Sequence, residues 1–448
     1  MTQMKKCIHK YEKQGRAIIN ALKDRGALEG WYRTLSDLYP DNAHFVFELL
    51  QNSEDANATK VEFKLSDNSL IFLHNGTRAF SEDDINSITN IGNSNKSINK
   101  IGKFGVGFKS VFTYTDTPKI NSKNISFQIQ NLIVPSLIDG EEIDYGYTTL
   151  FEFPFNRKNK DKEIACKEIS NLFNELSDNV LLFLDSVSEI IWNLEDGSRF
   201  SILKRKNQNI TEIINSSKGS SYWLIFNKIS TIDSKKFNTS IAYSYNKKEK
   251  KINRIKGDVS IFFPAKKEFS GLGFHINAPF SSTVARDSIT DANENKELLF
   301  SISDLCAESI HSIKNLNLLN MSFFEVLPSE DDELSSFYKP VYNRFLQEFN
   351  DENNKLIPLE DGSFSNLDSC IYSSRLFKDT FIDKDLRVIF NSDLIIGIAK
   401  SPLKNSRADK FISKLKCDYV DDSYIHEKLQ EFSDRVSQHN LDYYCESD

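Results

Sequence analysis

At 448 residues the chain exceeds the usual size of one domain, so two or three domains in succession are expected. Hydrophobic residues make up 39% and charged residues 27% of the chain, with 34 Phe and 16 Tyr. This is enough apolar mass for packed cores and excludes a disordered or collagen-like chain. The net charge of -8 comes from 56 Lys+Arg against 64 Asp+Glu, so binding of a polyanion by the whole chain is not favoured.

No run approaches the ~18 apolar residues that a membrane span requires, and residues 1–13 lack the apolar core of a secretory signal. The 6 cysteines lie far apart, without a C-x-x-C pair. Such spacing argues against a disulfide framework or a zinc site. We therefore expect reduced cysteines, a cytoplasmic location and no membrane segment.

Both helices and strands are predicted along the chain. Apolar residues at helical spacing predict helices over 15–38, with breaks at Gly26 and Gly30, and over 42–56, 81–88, 163–184 and 294–314. Alternating or continuous apolar runs predict strands at 60–65, 69–73, 125–129, 148–153, 189–194, 199–204, 221–227, 240–245, 259–263 and 274–277. Pro154 and the charged run 157–162 mark a boundary. We expect domains at 1–157, 158–315 and 316–448, the last mixing helices with a short strand before Glu360.

The helix predicted over 42–56 carries a narrow polar stripe. Its polar residues are spaced by four, four and three positions, which places them on one face: His44, Glu48, Asn52 and Asp55. The other faces are apolar, whereas an ordinary exposed face is wide and includes Lys or Arg. Taken alone, the stripe fits a solvated face as well as it fits a polar site.

A glycine-rich segment follows between residues 91 and 110. Its first part, 91–103, is rich in Gly, Asn and Ser and is predicted to be a mobile loop. Gly102, Gly105 and Gly107 would let backbone N–H groups approach an anion, and the helix after them would add its N-terminal partial charge. The residue order fits neither a Walker A loop nor a dinucleotide-binding fingerprint. In isolation, a tight turn packed on a helix is the better explanation of these glycines.

Together, three segments resemble the GHKL ATPases, the superfamily of gyrase B, the ninety-kilodalton heat-shock chaperones, histidine kinases and MutL. They are ELLQNSEDA at 48–56, NG at 75–76 and IGKFGVGFKS at 101–110. The sacsin-type, chaperone-like branch is the most similar. The resemblance implies a Bergerat-type ATP-binding α/β sandwich followed by an α/β transducer-like domain and a mixed α/β C-terminal region.

The resemblance also implies roles for individual residues. Glu48 would be the general base that activates water, and Asn52 would give a neutral oxygen to the Mg²⁺ that bridges the phosphates. Asp55 would order water or polar groups, residues 94–96 would lie in a lid, and Thr149 would form the pocket floor. The nucleotide contacts implied in this way are Asn52, Asp55, His74, Asn75, Gly76, Ser94, Asn95, Lys96, Gly102, Phe104, Gly105, Val106, Gly107, Phe108, Lys109 and Thr149.

His74 departs from the family pattern. Most relatives have an Asp here, whose carboxylate accepts a hydrogen bond from the adenine amino group. A neutral imidazole can accept one hydrogen bond at its unprotonated nitrogen, but it cannot copy a carboxylate. Adenine selectivity is therefore open, and a packing role at the end of a strand is the alternative.

The second predicted domain resembles the sacsin branch through LLFLDSV at 181–187 and FHINAPF at 274–280. Arg286, in TVARD at 283–287, resembles the chaperones' middle-domain arginine, which would stabilise charge on the γ-phosphate. A surface pair with Asp287 is an equal alternative, and the rival cations are Lys266 and Lys267. Basic runs at 204–206 and 247–251 are expected to be solvated hairpin tips rather than nucleic-acid contacts.

These observations predict Mg²⁺-dependent ATP binding and slow hydrolysis that drive a conformational switch. The expected partners are ATP and a protein client, with an ATP-dependent homodimer as a further assembly; nucleic acid is less favoured. A role in bacterial defence or protein quality control is an expectation by analogy alone. Two alternatives stay open: an ATP-binding scaffold without turnover, and a DNA-acting GHKL protein of the mismatch-repair or topoisomerase type.

Overall fold

The computed structural model describes residues 3–30, 44–90, 107–123, 125–158, 160–232, 234–283, 287–373, 385, 388–389, 397–416, 419–420 and 422–445. Its α-helices are α1 Gln3–Asp24, α2 His44–Asp55, α3 Glu82–Thr89, α4 Lys162–Asn174, α5 Asn293–Asn315, α6 Met321–Phe324, α7 Lys339–Asn350, α8 Arg407–Ile412 and α9 Asp422–Cys445. Short 3-10 helices cover Gly107–Thr113, Asp178–Leu181 and Leu367–Ser369. The predicted α/β class is confirmed.

A large mixed sheet runs through the molecule. Its strands are β1 Lys60–Leu65, β2 Ser69–His74, β3 Lys119–Ser122, β4 Ile125–Gln130, β5 Val134–Leu137, β6 Thr149–Pro154, β7 Glu189–Asn193, β8 Arg199–Asn207, β9 Ile210–Asn215, β10 Gly219–Ile232, β11 Lys235–Asn246, β12 Lys251–Asn253, β13 Val259–Ile261, β14 Phe263–Pro264 and β15 His275–Asn277. The spatial order is β14-β13-β15-β11-β10-β9-β8-β7-β1-β2-β6-β3-β4-β5, with β12 beside β11. Shorter pairings join β16 Ile357–Pro358 to β17 Phe364–Ser365, and β18 Cys370–Ser373 to β19 Gly397–Ile398 and β20 Tyr419–Val420.

The junction between β1 and β7 links the first 157 residues to the chain that follows them. These two strands pair in parallel, with Lys60 beside Glu189 and Lys64 beside Asn193. The other neighbours of β1 and β7, which are β2 and β8, pair with them antiparallel. One sheet therefore continues across the predicted boundary at 157.

Aromatic side chains in register form the core on one face of this sheet. Phe63 on β1 lies opposite Phe72 on β2, and Phe72 lies opposite Phe151 on β6. Ring centroids are 4.6 Å apart for the first pair and 5.9 Å apart for the second. Phe173 on α4 covers Phe63 at 5.1 Å. Since directly paired residues point to the same face, the face that carries these rings is the one covered by α4.

A second core lies under α5 and α7. Tyr243 on β11 packs on Phe274 at 4.7 Å, and Phe345 on α7 meets Phe274 edge-on at 6.2 Å. Cys306 is buried in this core and Cys7 in the first one, and both thiols are free. Within the described residues, no helix combines the length and the apolar character that crossing a bilayer would require.

Two predicted helices have different limits in the structure. The first begins at Gln3 rather than residue 15 and ends at Asp24, before Gly26 adopts a φ of 66°. The helix predicted over 163–184 ends at Asn174. Ser177 then accepts a hydrogen bond from the N–H of Asn179, a local contact that competes with a continuing helix.

Candidate functional site

Helix α2 carries the predicted polar stripe. The predicted helix over 42–56 is confirmed as His44–Asp55. Phe45, Leu49 and Leu50 are buried, and their packing stabilises the helix in the first core. The stripe residues Glu48, Asn52 and Asp55 are half-buried on one face of that helix. The described side chains do not include that of His44.

The ends of three neighbouring strands place three polar side chains in one row. His74, the last residue of β2, lies opposite Thr149, the first residue of β6, which in turn lies opposite Ser122 on β3. His74 is 4% exposed and Thr149 is 2% exposed. The hydroxyls of Ser122 and Thr149 are 3.4 Å apart. Cross-strand partners share a face, and His74 is two residues from Phe72, so the row lies on the α4-covered face.

The imidazole of His74 is held in one hydrogen-bonding state. Its Nδ1 accepts the backbone N–H of Gly76 at 3.1 Å. Burial, assisted by the positive charge of Arg78, lowers the pKa of His74 to about 4. The neutral ring therefore carries its proton on Nε2, which has no hydrogen-bond partner among the described residues. The unprotonated nitrogen, expected from the sequence to accept a hydrogen bond from a ligand, is thus engaged by Gly76. The ring can only donate to a ligand, through Nε2–H.

Asn75 and Gly76 form the turn after β2, which packs closely on the turn after α2. The Asn75 side-chain oxygen accepts the N–H groups of Thr59 and Lys60, both at 2.9 Å, and its amide donates to the Thr59 hydroxyl. A Cβ atom on Gly76 would lie 2.8 Å from both Ala56 Cβ and His74 Nδ1. Asn75 thus holds the turn after α2, and only glycine fits at position 76 without a shift of its neighbours.

The predicted phosphate-binding segment is described in its last part. Residues 107–113 form a 3-10 helix that packs on α2, with the ring of Phe45 5.3 Å from Tyr114. Phe108 is buried against Phe151, at 6.1 Å between ring centroids. The predicted site residues outside the described residues are Ser94, Asn95, Lys96, Gly102, Phe104, Gly105, Val106 and Arg286.

Lys109 anchors the start of this 3-10 helix. Its side chain is buried, and its ammonium donates to the carbonyls of Ile88, near the end of α3, and Leu132, between β4 and β5. Burial lowers the pKa of Lys109 to about 7. The ammonium is therefore used to fasten the segment to two neighbouring turns.

Around the predicted Arg286, the flanking residues form their own contacts. Asp287 pairs with Lys267 at 2.5 Å and accepts a hydrogen bond from the Thr283 hydroxyl at 2.8 Å. These contacts, with the Lys267 hydrogen bond as the largest cause, lower the pKa of Asp287. The rival cation Lys267 is thus engaged with Asp287. The other rival, Lys266, lines a cavity of about 420 Å³ together with Phe47 of α2.

Three residues of this region were missed from the sequence. Ser122 joins the row with Thr149, but β3 was not predicted, so its neighbour was unknown. Gln51 is 2% exposed, and its Oε1 has no hydrogen-bond partner in the described part of the chain. Its spacing puts it on the same side of α2 as Glu48 and Asp55. Arg78 pairs with Asp84 at 3.0 Å and donates to the Asp55 carbonyl at 3.2 Å, fastening α3 to the end of α2.

Comparison with known proteins identifies similar chains. Residues 64–131 match the family model described as Sacsin domain. Protein NO VEIN of Arabidopsis thaliana is 25% identical over 318 residues, which cover 62% of this chain. Sacsin of Homo sapiens is 34% identical over 111 residues, 20% of this chain. These matches show that part of this chain is similar to sacsin-type proteins.

The sacsin-like match at 64–131 includes the His74 turn and Lys109, and α2 precedes it in the chain. The similar region amounts to 12% of the length of Protein NO VEIN and 2% of that of Sacsin. Among solved structures, "Crystal Structure of N terminal domain of a DNA repair protein" is similar with a TM-score of 0.37 and 13% identity. That likeness covers 59% of this chain and 93% of the other.

Proposed function

We propose that this chain binds Mg·ATP at the face shared by α2 and the ends of β2 and β6, and hydrolyses it slowly. The observation that carries the proposal is the placement of α2. Its half-buried Glu48, Asn52 and Asp55 lie on a helix that packs against the 3-10 helix beginning at Gly107. A carboxylate base, a carboxamide oxygen for a metal ion and a glycine-rich segment for the phosphates are groups that can together support phosphoryl transfer to water.

The donor chemistry of α2 fits Mg²⁺. A magnesium ion in a nucleotide site is held by one or two protein oxygens and by the phosphates, and keeps several waters. Asn52 offers a carboxamide oxygen, with Gln51 Oε1, the buried oxygen without a described partner, in the adjacent residue. Among the described residues no group of three or more His, Cys, Asp or Glu side chains could hold a metal ion. A site completed by phosphate oxygens does not need such a group.

The proposed roles follow from this arrangement. Asn52 would hold the metal ion, and bound Mg²⁺ would neutralise charge that develops on the phosphates. Glu48, one turn before Asn52, would accept a proton from the attacking water. His74, Thr149 and Ser122 would contact the base at the strand ends. We further propose that residues 1–157 form a Bergerat-type sandwich and that the following unit responds to the nucleotide, in a chaperone-like role that rests on the sacsin-like resemblance.

Two substitutions on α2 separate binding from chemistry. Asn52→Ala is expected to abolish Mg²⁺-dependent binding of a non-hydrolysable ATP analogue, measured by calorimetry. Glu48→Ala is expected to retain binding but to lose at least about 100-fold in phosphate release, because a general base acts only in the transition state. Glu163→Ala, on the exposed side of α4, is the matched control and should change neither quantity.

The outcomes discriminate between the candidate functions. Wild-type protein that binds ATP without releasing phosphate would favour a scaffold role. Equal loss of binding in both variants would mean that α2 has a structural role only. DNA binding that strengthens as salt is lowered would favour a DNA-acting protein.

A further inference from the structure

Glu54 connects α2 to a distant part of the chain. Its Oε1 accepts the backbone N–H groups of Asp185 and Ser186 at 2.8 and 2.7 Å, and its Oε2 accepts that of Val187 at 2.8 Å. The contacts bridge more than 130 positions in the sequence. Hydrogen bonds to an ionised carboxylate are roughly twice as strong as neutral ones. The carboxylate therefore holds three successive amides in a fixed orientation.

The same turn is held from its other side by a buried cation. The prediction of a solvated hairpin tip at 204–206 is wrong for Lys204, which lies within β8 and is 6% exposed. Its ammonium donates to the carbonyls of Leu181, at 3.0 Å, and Leu184. We call residues 181–187 the linking turn. Its carbonyls are held by β8 and its N–H groups by α2. The turn leads directly into β7, which pairs with β1.

Further contacts tie the exit of the linking turn to the chain after α2. The N–H groups of Ser188 and Glu189 both donate to the Thr59 carbonyl, at 2.9 and 3.1 Å. The N–H groups of Thr59 and Lys60 are held by the side chain of Asn75, next to His74. The linking turn therefore contacts α2 directly, and the two residues after it contact Thr59, whose N–H is held by Asn75 beside the end of β2.

The linking turn also borders a polar cavity. The cavity has a volume of about 440 Å³ and is lined by residues of the turn, by β8 to β11 and by the end of α5. A change in the position of the turn would therefore alter the shape of this cavity, whose other walls are formed by β8 to β11 and α5. An α-helix moves as a rigid body over two turns, so a shift of Glu48 or Asn52 displaces Glu54 as well.

We propose that Glu54 is a positioning residue that transmits movement of α2, through the linking turn, to the second unit (residues 158–315). Lys204 on β8 is the residue of that unit that would be displaced with the turn. This inference rests on the proposed function, because the movement is that of the helix carrying Glu48 and Asn52. It adds the contacts through which a change at the nucleotide site would be transmitted to residues after 157.

The test compares Glu54→Gln with wild-type protein. Glutamine keeps one acceptor oxygen but turns an NH₂ group toward an amide that needs an acceptor. We expect kcat for ATP hydrolysis to fall about 10- to 100-fold, the effect of misplacing a catalytic group by about 1 Å. KM should hardly change, since both carboxylate oxygens of Glu54 are already engaged by N–H groups of the linking turn. A non-hydrolysable ATP analogue should change hydrogen exchange in β8 and β10 of wild-type protein but not of Glu54→Gln.

Two further variants make the result decisive. Lys204→Met keeps the aliphatic stem but removes the hydrogen bonds to Leu181 and Leu184, and it should abolish the same exchange response. Asp332→Asn removes another half-buried carboxylate, which accepts the Ser329 N–H at 2.8 Å and pairs with Arg407 of α8. It should lower stability while leaving kcat and the exchange response intact.

The possible outcomes separate the two proposals. Wild-type turnover together with an intact exchange response in Glu54→Gln would overturn the coupling role and leave the ATPase proposal standing. An effect of Asp332→Asn equal to that of Glu54→Gln would reduce Glu54 to a general stabilising residue. A wild-type protein that binds no nucleotide would overturn the proposed function, and the coupling role with it.

Discussion

The backbone N–H of Gly76 donates to Nδ1 of His74 at 3.1 Å, so the ring of His74 keeps a hydrogen-bond donor and no acceptor for any ligand. The ring is neutral near pH 7 because burial lowers its pKa to about 4. Its cross-strand neighbour Thr149 adds a hydroxyl that can donate or accept. A base bound at this row is therefore recognised by a donor where a carboxylate would have accepted.

This arrangement predicts an unusual base preference. Adenine presents an amino donor at its position 6, whereas hypoxanthine presents a carbonyl acceptor there. We expect wild-type protein to bind ITP at least as tightly as ATP. His74→Asp should instead bind ATP about 10-fold more tightly than ITP. One hydrogen bond gained or lost is worth about 1.4 kcal/mol, which corresponds to this ratio. Competition calorimetry with both nucleotides measures the ratio.

His74→Asn is the matched control for this experiment. Its carboxamide oxygen can accept the Gly76 N–H while its NH₂ group offers a donor, as the imidazole does. The wild-type preference should therefore persist in this variant. A wild-type protein that prefers ATP over ITP tenfold would show that the His74 donor does not face the base.

The low pKa of His74 also predicts acid sensitivity. In the unfolded chain the imidazole takes up a proton near pH 6.5, but in the folded protein it stays neutral down to about 4. The unfolded state therefore binds more protons, and the free energy of unfolding falls as pH falls through this window, by up to about 3 kcal/mol at pH 4. In urea titrations, the free energy of unfolding of His74→Asn should lack this contribution to the fall at acid pH.

His275 requires its own control. It is buried beside Trp223, and burial, opposed by Asp258, lowers its pKa to about 4 as well. His275→Asn should remove a separate part of the fall in unfolding free energy at acid pH. The effects of the two substitutions should add, because the two residues do not touch. Equal pH dependence in wild-type protein and His74→Asn would contradict the neutral, buried state of His74.

Local signals in the sequence predicted many elements of the fold. Asp196 and Gly197 predict the turn between β7 and β8, and the structure has a φ of 83° at Gly197. Ser81 and Asp84 predict the start of α3 and form both contacts of the capping box. Such motifs act within a few residues, so a pattern of side chains is enough to identify them.

Contacts between distant segments were not predictable in this way. The parallel pairing of β1 with β7 depends on how the whole chain folds, and no local pattern encodes it. Glu54 looks like one more polar residue of the stripe helix, since nothing near it marks Asp185 as its partner. The predicted stripe of Glu48, Asn52 and Asp55 was accessible because helical spacing alone defines a face.

Gly76 is expected to tolerate no side chain. A methyl group would approach Ala56 Cβ and His74 Nδ1 to 2.8 Å and the Ala56 carbonyl to 2.9 Å. Gly76→Ala should therefore cost about 1–3 kcal/mol of unfolding free energy, as overpacking commonly does. Gly30→Ala is the control, because no atom of the described residues lies within 4 Å of its added Cβ. Denaturant unfolding of both variants, read by circular dichroism, measures the difference, and equal stability would contradict the close approach at Gly76.

Lys109 predicts a pH dependence on the alkaline side. Burial lowers its pKa from 10.5 to about 7, so between these values the unfolded chain binds the additional proton. The free energy of unfolding should therefore rise as pH increases from 7 to 10, by up to about 4 kcal/mol from this residue. Lys109→Met removes the titrating group, so its unfolding free energy should vary less with pH.

Two comparisons make the Lys109 result specific. Lys204, whose pKa burial lowers to about 8, should contribute a smaller rise that Lys204→Met removes. Lys23→Met, at the exposed end of α1, should follow the wild-type curve. If Lys109→Met keeps the full alkaline rise, the ammonium of Lys109 is solvated in the native protein. The 3-10 helix after Gly107 would then be held without the bonds to Ile88 and Leu132, because a solvated ammonium cannot remain bound to two buried carbonyls.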